Sequence, residues 1–296
     1  VMGSKKLKAV VACGSNKVYL IKTDYLNWGD TYTKGLRWSW DCTSIKSTVA
    51  GCKADSHIDD VVLCNDKKQI LVTCSNNSGW CVLLEPDFNV DGKATLLFWT
   101  NKADNAHSAE LLPGGYIVVA CSTGSGQCLQ LYDITKNNTV LAEYPLNSAH
   151  GAVWNPATER LYAIGETTLQ IYKWDPTKPE LEIEESISTT SYVKGLHDIS
   201  IVDANTLIMG AQNCALFDIS RKTFTPVPIF SKTSGIKSLN YNAKTGEIFY
   251  TISGGSPNYS WATYTLRYND KIDGTGTEKT IMVNDIEMYK ARVFTW

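Results

Sequence analysis

One short phrase recurs along this chain, and it constrains the fold more than any other feature. Ala106-His107-Ser108-Ala109-Glu110-Leu111-Leu112-Pro113-Gly114-Gly115 leads into Tyr116-Ile117-Val118-Val119-Ala120-Cys121. Ala149-His150-Gly151-Ala152-Val153-Trp154 leads into Leu161-Tyr162-Ala163-Ile164-Gly165. Ser56-His57-Ile58-Asp59-Asp60-Val61 and Leu196-His197-Asp198-Ile199-Ser200-Ile201 open two further copies. The chain holds four histidines, and each opens one copy, at spacings of 50 (57 to 107), 43 (107 to 150) and 47 (150 to 197) residues. Repeats at about 40–50 residues mean a propeller or a solenoid.

The residues between the histidines decide for strands. Short β-branched and aromatic runs are broken by Gly, Asn, Asp, Ser and Pro, with no amphipathic helical stretch among them. Each copy parses into four antiparallel strands, the content of one propeller blade. The expectation is therefore an all-β, six-bladed β-propeller in one domain. Its blades would span about 6–41 plus 286–294, 57–100, 107–145, 150–189, 197–230 and 236–284. The first copy lacks one strand, and Ile286-Glu287-Met288-Tyr289-Lys290-Ala291-Arg292-Val293-Phe294 is a lone strand at the other end. Pairing the two would close the ring and remove the free sheet edges.

Composition narrows the partners. A net charge of −2 gives no field for nucleic acid. No apolar run approaches the roughly 18 residues of a membrane-crossing helix. Val1-Met2-Gly3-Ser4 is not a signal peptide and reads as a cloning junction, which leaves room for a removed export signal. Nine cysteines leave the compartment open. Cys13, Cys74 and Cys121 sit at equivalent strand ends and read as small buried residues. Cys42 with Cys52, Cys74 with Cys81 and Cys121 with Cys128 have spacings that disulfides would also fit. Glu180, Glu182, Glu184 and Glu185 form an acidic run, most simply a solvated outer strand.

In a propeller the first strand of each blade lines the central channel, so the repeat register puts one residue per blade at the channel mouth. Aligning Gly235-Ile236-Lys237 with Gly195-Leu196-His197 adds Lys237, and the closing strand adds Lys290. The expected ring is Lys290, His57, His107, His150, His197 and Lys237. Small polar turns should face it, among them Gly14-Ser15-Asn16, Ser75-Asn76-Asn77-Ser78-Gly79, Ser122-Thr123-Gly124-Ser125-Gly126, Gln212-Asn213 and the stretch 253–261. Trp28, Trp154 and Trp261 could offer flat surfaces to sugar rings or simply pack between blades.

Three chemistries fit such a ring. His107, His150 and His197 could hold a divalent metal (Mn, Zn or Ca) with one coordination position open. Glu110, Asp59 or Asp198 would then be a further ligand or a partner of one. Alternatively, histidines and lysines could bind an anionic group without metal, or the imidazoles could only tie blades together. No nucleotide cofactor is expected: Gly124-Ser125-Gly126 precedes no helix, so it is not a phosphate loop. No Gly-x-Ser-x-Gly elbow, zinc-finger spacing or His-Glu-x-x-His motif appears.

The phrases around His107 and His150, with Trp38-Ser39-Trp40 and the closing Tyr289-Lys290-Ala291-Arg292, resemble a group of six-bladed propellers from gut Bacteroidales. The resemblance covers most of the chain and implies export, to the periplasm, the cell surface or the medium; it brings no activity with it. A looser similarity at the level of fold links the chain to propeller polysaccharide lyases of the oligogalacturonate type, which place a histidine-bound metal on the axis. The functional expectation is a monomeric exported propeller that binds an acidic saccharide or other small anionic ligand. A cleaving form, lyase or hydrolase, would use His57 for proton transfer and the metal to polarise a carboxylate. Lys237, Lys290 and Arg292 would neutralise charge, and Trp261 would carry the sugar. The alternative is a non-catalytic scaffold with a structural histidine ring. A WD40-like scaffold is disfavoured, because no copy carries the Gly-His…Trp-Asp signature.

Overall fold

A computed structural model describes residues 7–123, 127–230 and 234–296. The expected turn residues 124–126 lie outside them, as do residues 1–4. The first copy gives β1 (Ala9–Gly14), β2 (Lys17–Lys22) and β3 (Leu36–Asp41). The second gives β4 (Ile58–Cys64), β5 (Gln69–Cys74), β6 (Trp80–Pro86) and β7 (Ala94–Thr100). The third is β8 (Ala106–Leu112), β9 (Tyr116–Cys121), β10 (Cys128–Asp133) and β11 (Val140–Pro145). The fourth is β12 (Gly151–Asn155), β13 (Arg160–Ile164), β14 (Thr168–Asp175) and β15 (Glu180–Ser188). The fifth follows as β16 (Asp198–Asp203), β17 (Thr206–Gly210), β18 (Cys214–Asp218) and β19 (Thr223–Pro226). The sixth is β20 (Ile236–Asn242), β21 (Glu247–Ile252), β22 (Thr265–Asn269) and β23 (Glu278–Met282), and the closing strand is β24 (Met288–Thr295).

These strands form six four-stranded antiparallel sheets, a six-bladed propeller, and β24 takes the inner edge of the first sheet beside β1. Around the axis, β24, β4, β8, β12, β16 and β20 touch in turn, and β20 meets β24 again. The middle strands are buried on both faces, which is why β9 reads Tyr-Ile-Val-Val-Ala-Cys without alternation. The outer strands have one wet face. β15 alternates accordingly, and its acidic run lies at the rim with Glu182 and Glu184 paired to Lys173 and Arg160. Six apolar clusters among the described residues fill the six spaces between neighbouring blades. Trp38 and Trp40 of the first blade pack with Trp80 of the second, for example. All nine cysteines are buried free thiols, so the paired spacings do not correspond to disulfides in this structure.

Closure depends on two features of β24. Its backbone passes so near β1 that a Cβ on Gly14 would lie 2.3 Å from the Glu287 carbonyl oxygen. Further along, Lys290 and Arg292 reach across the axis to Asp60 of the second blade and Asp198 of the fifth. Arg292 Nη2 lies 2.6 Å from Asp60 Oδ2 and 2.7 Å from Asp198 Oδ1, while Nε donates to Asp60 Oδ1 at 2.9 Å. Lys290, fully buried, lies 3.3 Å from Asp198 Oδ1 and 3.6 Å from Asp60 Oδ2, and donates to the His150 carbonyl at 3.0 Å. Ser108 and the Val61 amide complete Asp60, and the Leu239 amide completes Asp198. Burial alone would raise the Asp60 pKa, but Arg292 and Lys290 outweigh it and hold the carboxyl below its ordinary range.

Arg292→Met would leave two buried carboxylates facing one ammonium. Removing one partner from a buried ion cluster costs about 3–5 kcal/mol. The denaturant midpoint of R292M should drop accordingly, and adding D60N and D198N should recover much of the loss. A cost under about 1 kcal/mol would mean that the charges escape to water and do not hold the ring.

Candidate functional site

The ring position lies at the start of each inner strand, at a β-bulge in most blades. In three blades the pairing skips one residue: Asp59 between Ile58 and Asp60, His107 between Ala106 and Ser108, Lys237 between Ile236 and Ser238. In two others, the amides of His150 and His197 bond to Ile164 O and Gly210 O, whose residues already pair with Gly151 and Asp198. In β24 the pairing also slips between Ala12 and Gly14, opposite the stretch that holds Lys290. Such bulges leave a residue outside the ladder and re-aim its side chain. The equivalent positions are therefore Lys290, Asp59, His107, His150, His197 and Lys237.

This corrects the expected register in one blade. His57 stands two residues before the ring position, and Asp59 occupies it. His57 still reaches the same cavity from its wall. That cavity has a volume of about 350 Å³ and is lined by His57, Asp59, Ser75, Asn76, Asn105, His107, His197, Lys237, Trp261 and Tyr289. The His57 ring meets Tyr259 and Trp261 edge to face, at 4.5 and 5.3 Å between centroids, and its buried Nδ1 has no hydrogen-bond partner. Tyr259 and Trp261 stack on each other at 4.9 Å. The cavity thus combines aromatic rings with polar lining residues.

The expected residues divide into two groups. His57, His107, His197, Lys237 and Trp261 share the cavity, with His150 stacked behind His107 at 4.4 Å. Lys290 and Arg292 do not reach a ligand there, because their charges are already met by Asp60 and Asp198. Asp198 is likewise taken up below the ring, and Glu110 sits toward the far end of β8. Trp154 lines a separate cavity, and Trp28 stacks on Tyr268 at 4.8 Å. Sequence reasoning missed Tyr289 and Asn105 as site residues. Asn76 and Tyr259 belong to expected turns; Tyr289 comes from a strand whose alignment no hairpin fixes.

The hydrogen bonds assign the protons. His150 Nδ1 lies 2.8 Å from the Ser148 carbonyl, which can only accept, so Nδ1 carries the proton. Lys237 Nζ stands 3.0 Å from His197 Nε2, and the His197 Nδ1 stands 3.1 Å from the Tyr289 hydroxyl. An ammonium can only donate, so Nε2 accepts and Nδ1–H donates to Tyr289. His107 Nδ1 is 3.2 Å from Asp59 Oδ1, but the angle is not that of a hydrogen bond and the nitrogen is otherwise unpartnered. The other Asp59 oxygen accepts the Ser75 amide at 2.5 Å.

Burial pushes the His197 pKa down to about 3, with the charges of Lys237 and Lys290 adding to the effect. His150 is also held well below its ordinary value, first by burial and then by the neighbouring imidazoles. Both rings are neutral at pH 7. Burial, and then Lys290, push Lys237 down to about 8, against a smaller pull from Asp59. Among the described residues no carboxylate lies within 4 Å of the Lys237 ammonium. The three expected metal ligands meet, yet their donors do not converge. His107 and His150 stack face to face, and both nitrogens of His197 are engaged. Among the described residues no group of three or more His, Cys, Asp or Glu side chains is placed to hold a metal ion.

With this geometry in hand, the chain belongs to a family of unknown function, DUF6528, which matches residues 14–263. Among curated proteins nothing matches it. Solved structures similar to it include a chain of the nidogen/laminin complex, at 10% identity and a TM-score of 0.64, covering 96% of this chain and 97% of that one. A functionally unknown protein from Desulfotomaculum acetoxidans gives 11%, 0.57, 96% and 79%. The WD40 propeller domain of Doa1 gives 12%, 0.55, 94% and 80%. At these identities the likeness shows the fold alone.

The neutral imidazoles set a pH dependence. The unfolded chain binds protons at these histidines near pH 6.5 and the folded chain does not, so stability is full above that value and is lost as pH falls toward 3. The loss is about 1.4 kcal/mol per pH unit for each ring. Thermal melts between pH 7 and 5 should show it, and His197→Asn should flatten the slope, in a window above the one where Asp60 protonates. An unchanged slope in H197N would mean that His197 titrates normally in the folded protein.

Proposed function

We propose that the channel mouth binds a small anionic ligand bearing a ring, in the first instance an acidic saccharide, and that it does so without a metal. The observation that carries this reading is Lys237. Its side chain is 7% exposed, its nearest polar partners are neutral, and it borders a cavity with an aromatic wall. Asp59 lies in the same cavity but not within 4 Å, a buried ammonium with no contacting counter-ion is costly, and a ligand carboxylate would supply one. His107 and Asn105 lie within the same cavity as polar neighbours, and Trp261 presents an aromatic surface of the kind sugar rings stack on.

Cleavage is a further step of the same reading. His57 borders the cavity, and as an imidazole there it would be the group to accept or return a proton. A metal-dependent version would require Lys237 to leave His197 Nε2. A second reading keeps the mouth structural, and the His150–Ser148 bond and the His107–His150 stack support it. Export is proposed on the sequence resemblance alone.

Calorimetry with trigalacturonate and its methyl ester tests the ligand. The acid should bind at least about tenfold more tightly at pH 7, a difference of about 1.4 kcal/mol. Lys237→Met should erase that preference, and raising the pH through 8 should weaken acid binding as the ammonium deprotonates. Equal affinities for the two forms, or no binding, would favour the scaffold. Stoichiometric metal in the purified protein, with binding lost on chelation, would favour the metal-dependent version. Release of unsaturated uronate, absent in His57→Ala, would establish a lyase.

A further inference from the structure

The underside of the propeller carries a second cavity that the mouth does not use. It has a volume of about 540 Å³ and lies between the hairpins that join the first and second strands of blades two, three and four. Leu63, Leu83, Leu111, Ile134 and Trp154 supply apolar wall, and Glu110 is the acidic residue lining it. Glu110 Oε1 accepts its neighbour's amide, Leu111 N, at 3.0 Å, and Oε2 accepts the Trp154 amide at 3.1 Å. Each carboxylate oxygen has a second lone pair to offer. Among the described residues no cation lies within 4 Å of either oxygen. The residue keeps some surface, but that surface belongs to the cavity wall.

We propose that this cavity is a binding site for a small ammonium ligand with an apolar body, an aryl- or alkylamine, whose charge is met by the Glu110 carboxylate. Size and chemistry both fit. A cavity of this volume lies within the ordinary range for small-molecule sites. An ionised carboxylate is acceptor-only, so the ligand atom that completes it must be a donor, and a cationic donor forms the strongest such bond. Trp154 and the leucines would cover the apolar part, and an indole face also attracts cations. An anion is disfavoured by like charge, and a purely apolar ligand would leave the carboxylate with its two amide bonds but no counter-charge.

Protonation couples to this binding. Burial raises the Glu110 pKa to about 7, against the two backbone amides and the more distant Arg292, with Asp60 adding slightly to the rise. Cys64, on β4, is the other titratable group bordering the cavity, and burial pushes its thiol well above the ordinary range. From β8, β9 and β12 no other titratable side chain lines it. The empty site therefore holds a proton through part of the neutral range and releases it when a cation arrives. Affinity should rise as pH rises through 7 and level off above it.

Benzylammonium, with benzyl alcohol as its uncharged counterpart, tests the site in the intact chain by amide shift perturbation. At about pH 8 the ammonium should bind at least about tenfold more tightly than the alcohol, with shifts at Leu111, Trp154 and the 113–115 turn. The preference should fall several-fold at about pH 6. Glu110→Gln should abolish it while leaving alcohol binding in place. Equal affinities, a preference that survives in E110Q, or no binding of either probe would overturn the proposal. Should E110Q fail to fold, the pH dependence in the unmodified protein decides: a preference that does not change between pH 6 and 8 would overturn it equally.

Discussion

The structure depends on a buried cluster of four charges on its axis. Six inner strands converge there, and no blade can supply apolar cover for a space that all six share. Lys290 and Arg292 come from the last strand; Asp60 and Asp198 come from blades two and five. Two cations meet two anions, so the formal charges balance. Serine hydroxyls and strand amides take most of the remaining valences. Such a cluster contributes less to raw stability than well-packed leucine would. It adds direction: only the right closing strand, in the right register, brings an arginine and a lysine to those carboxylates. Interblade packing is similar around the ring, whereas this contact is unique to the join.

The cluster also explains the chemistry at the mouth. Lys290 lies beneath His150 and His197, and its charge opposes their protonation. Lys237 does the same to His197 from the side, through the hydrogen bond at Nε2. The mouth therefore sets the neutral rings of His150 and His197 beside the Lys237 ammonium, whose pKa burial pushes down to about 8. Asp59 moderates this from the neighbouring blade. Were the axis filled with leucine, burial would still hold these histidines low, and only the smaller part of the shift that Lys290 adds would go.

Much of this architecture was legible in the sequence. Four histidines at spacings of 43 to 50 residues marked the blades, and the unmatched final strand foretold closure. The missed details have physical causes. A β-bulge shifts which residue faces the axis without altering the hydrophobic pattern around it, so His57 and Asp59 could not be told apart by register. Lys290 and Arg292 looked like ligand-binding cations because their carboxylate partners lie more than 90 residues away in sequence, at Asp198 and Asp60. Tyr289 left no signal for the same reason: its contacts with His197 and Lys237 exist only once the ring has closed. Pattern reading reports what a strand is, and the axis of a propeller is made of contacts between strands far apart in the chain.

The axial cluster stands between two ends of different chemistry. On β8 the division takes three residues: His107 faces the mouth, Ser108 bonds to Asp60 at the level of the charges, and Glu110 opens on the underside. At roughly 3.4 Å per residue, that is about 10 Å of strand. Both ends hold a titratable group displaced by burial, one a lysine pushed down and the other a glutamate pushed up. On the readings proposed above, the upper end would take an anion and the lower end a cation. The cluster between them acts on both: Lys290 lowers the pKa of Lys237 on one side, and Arg292 and Asp60 act in opposite senses on Glu110 on the other.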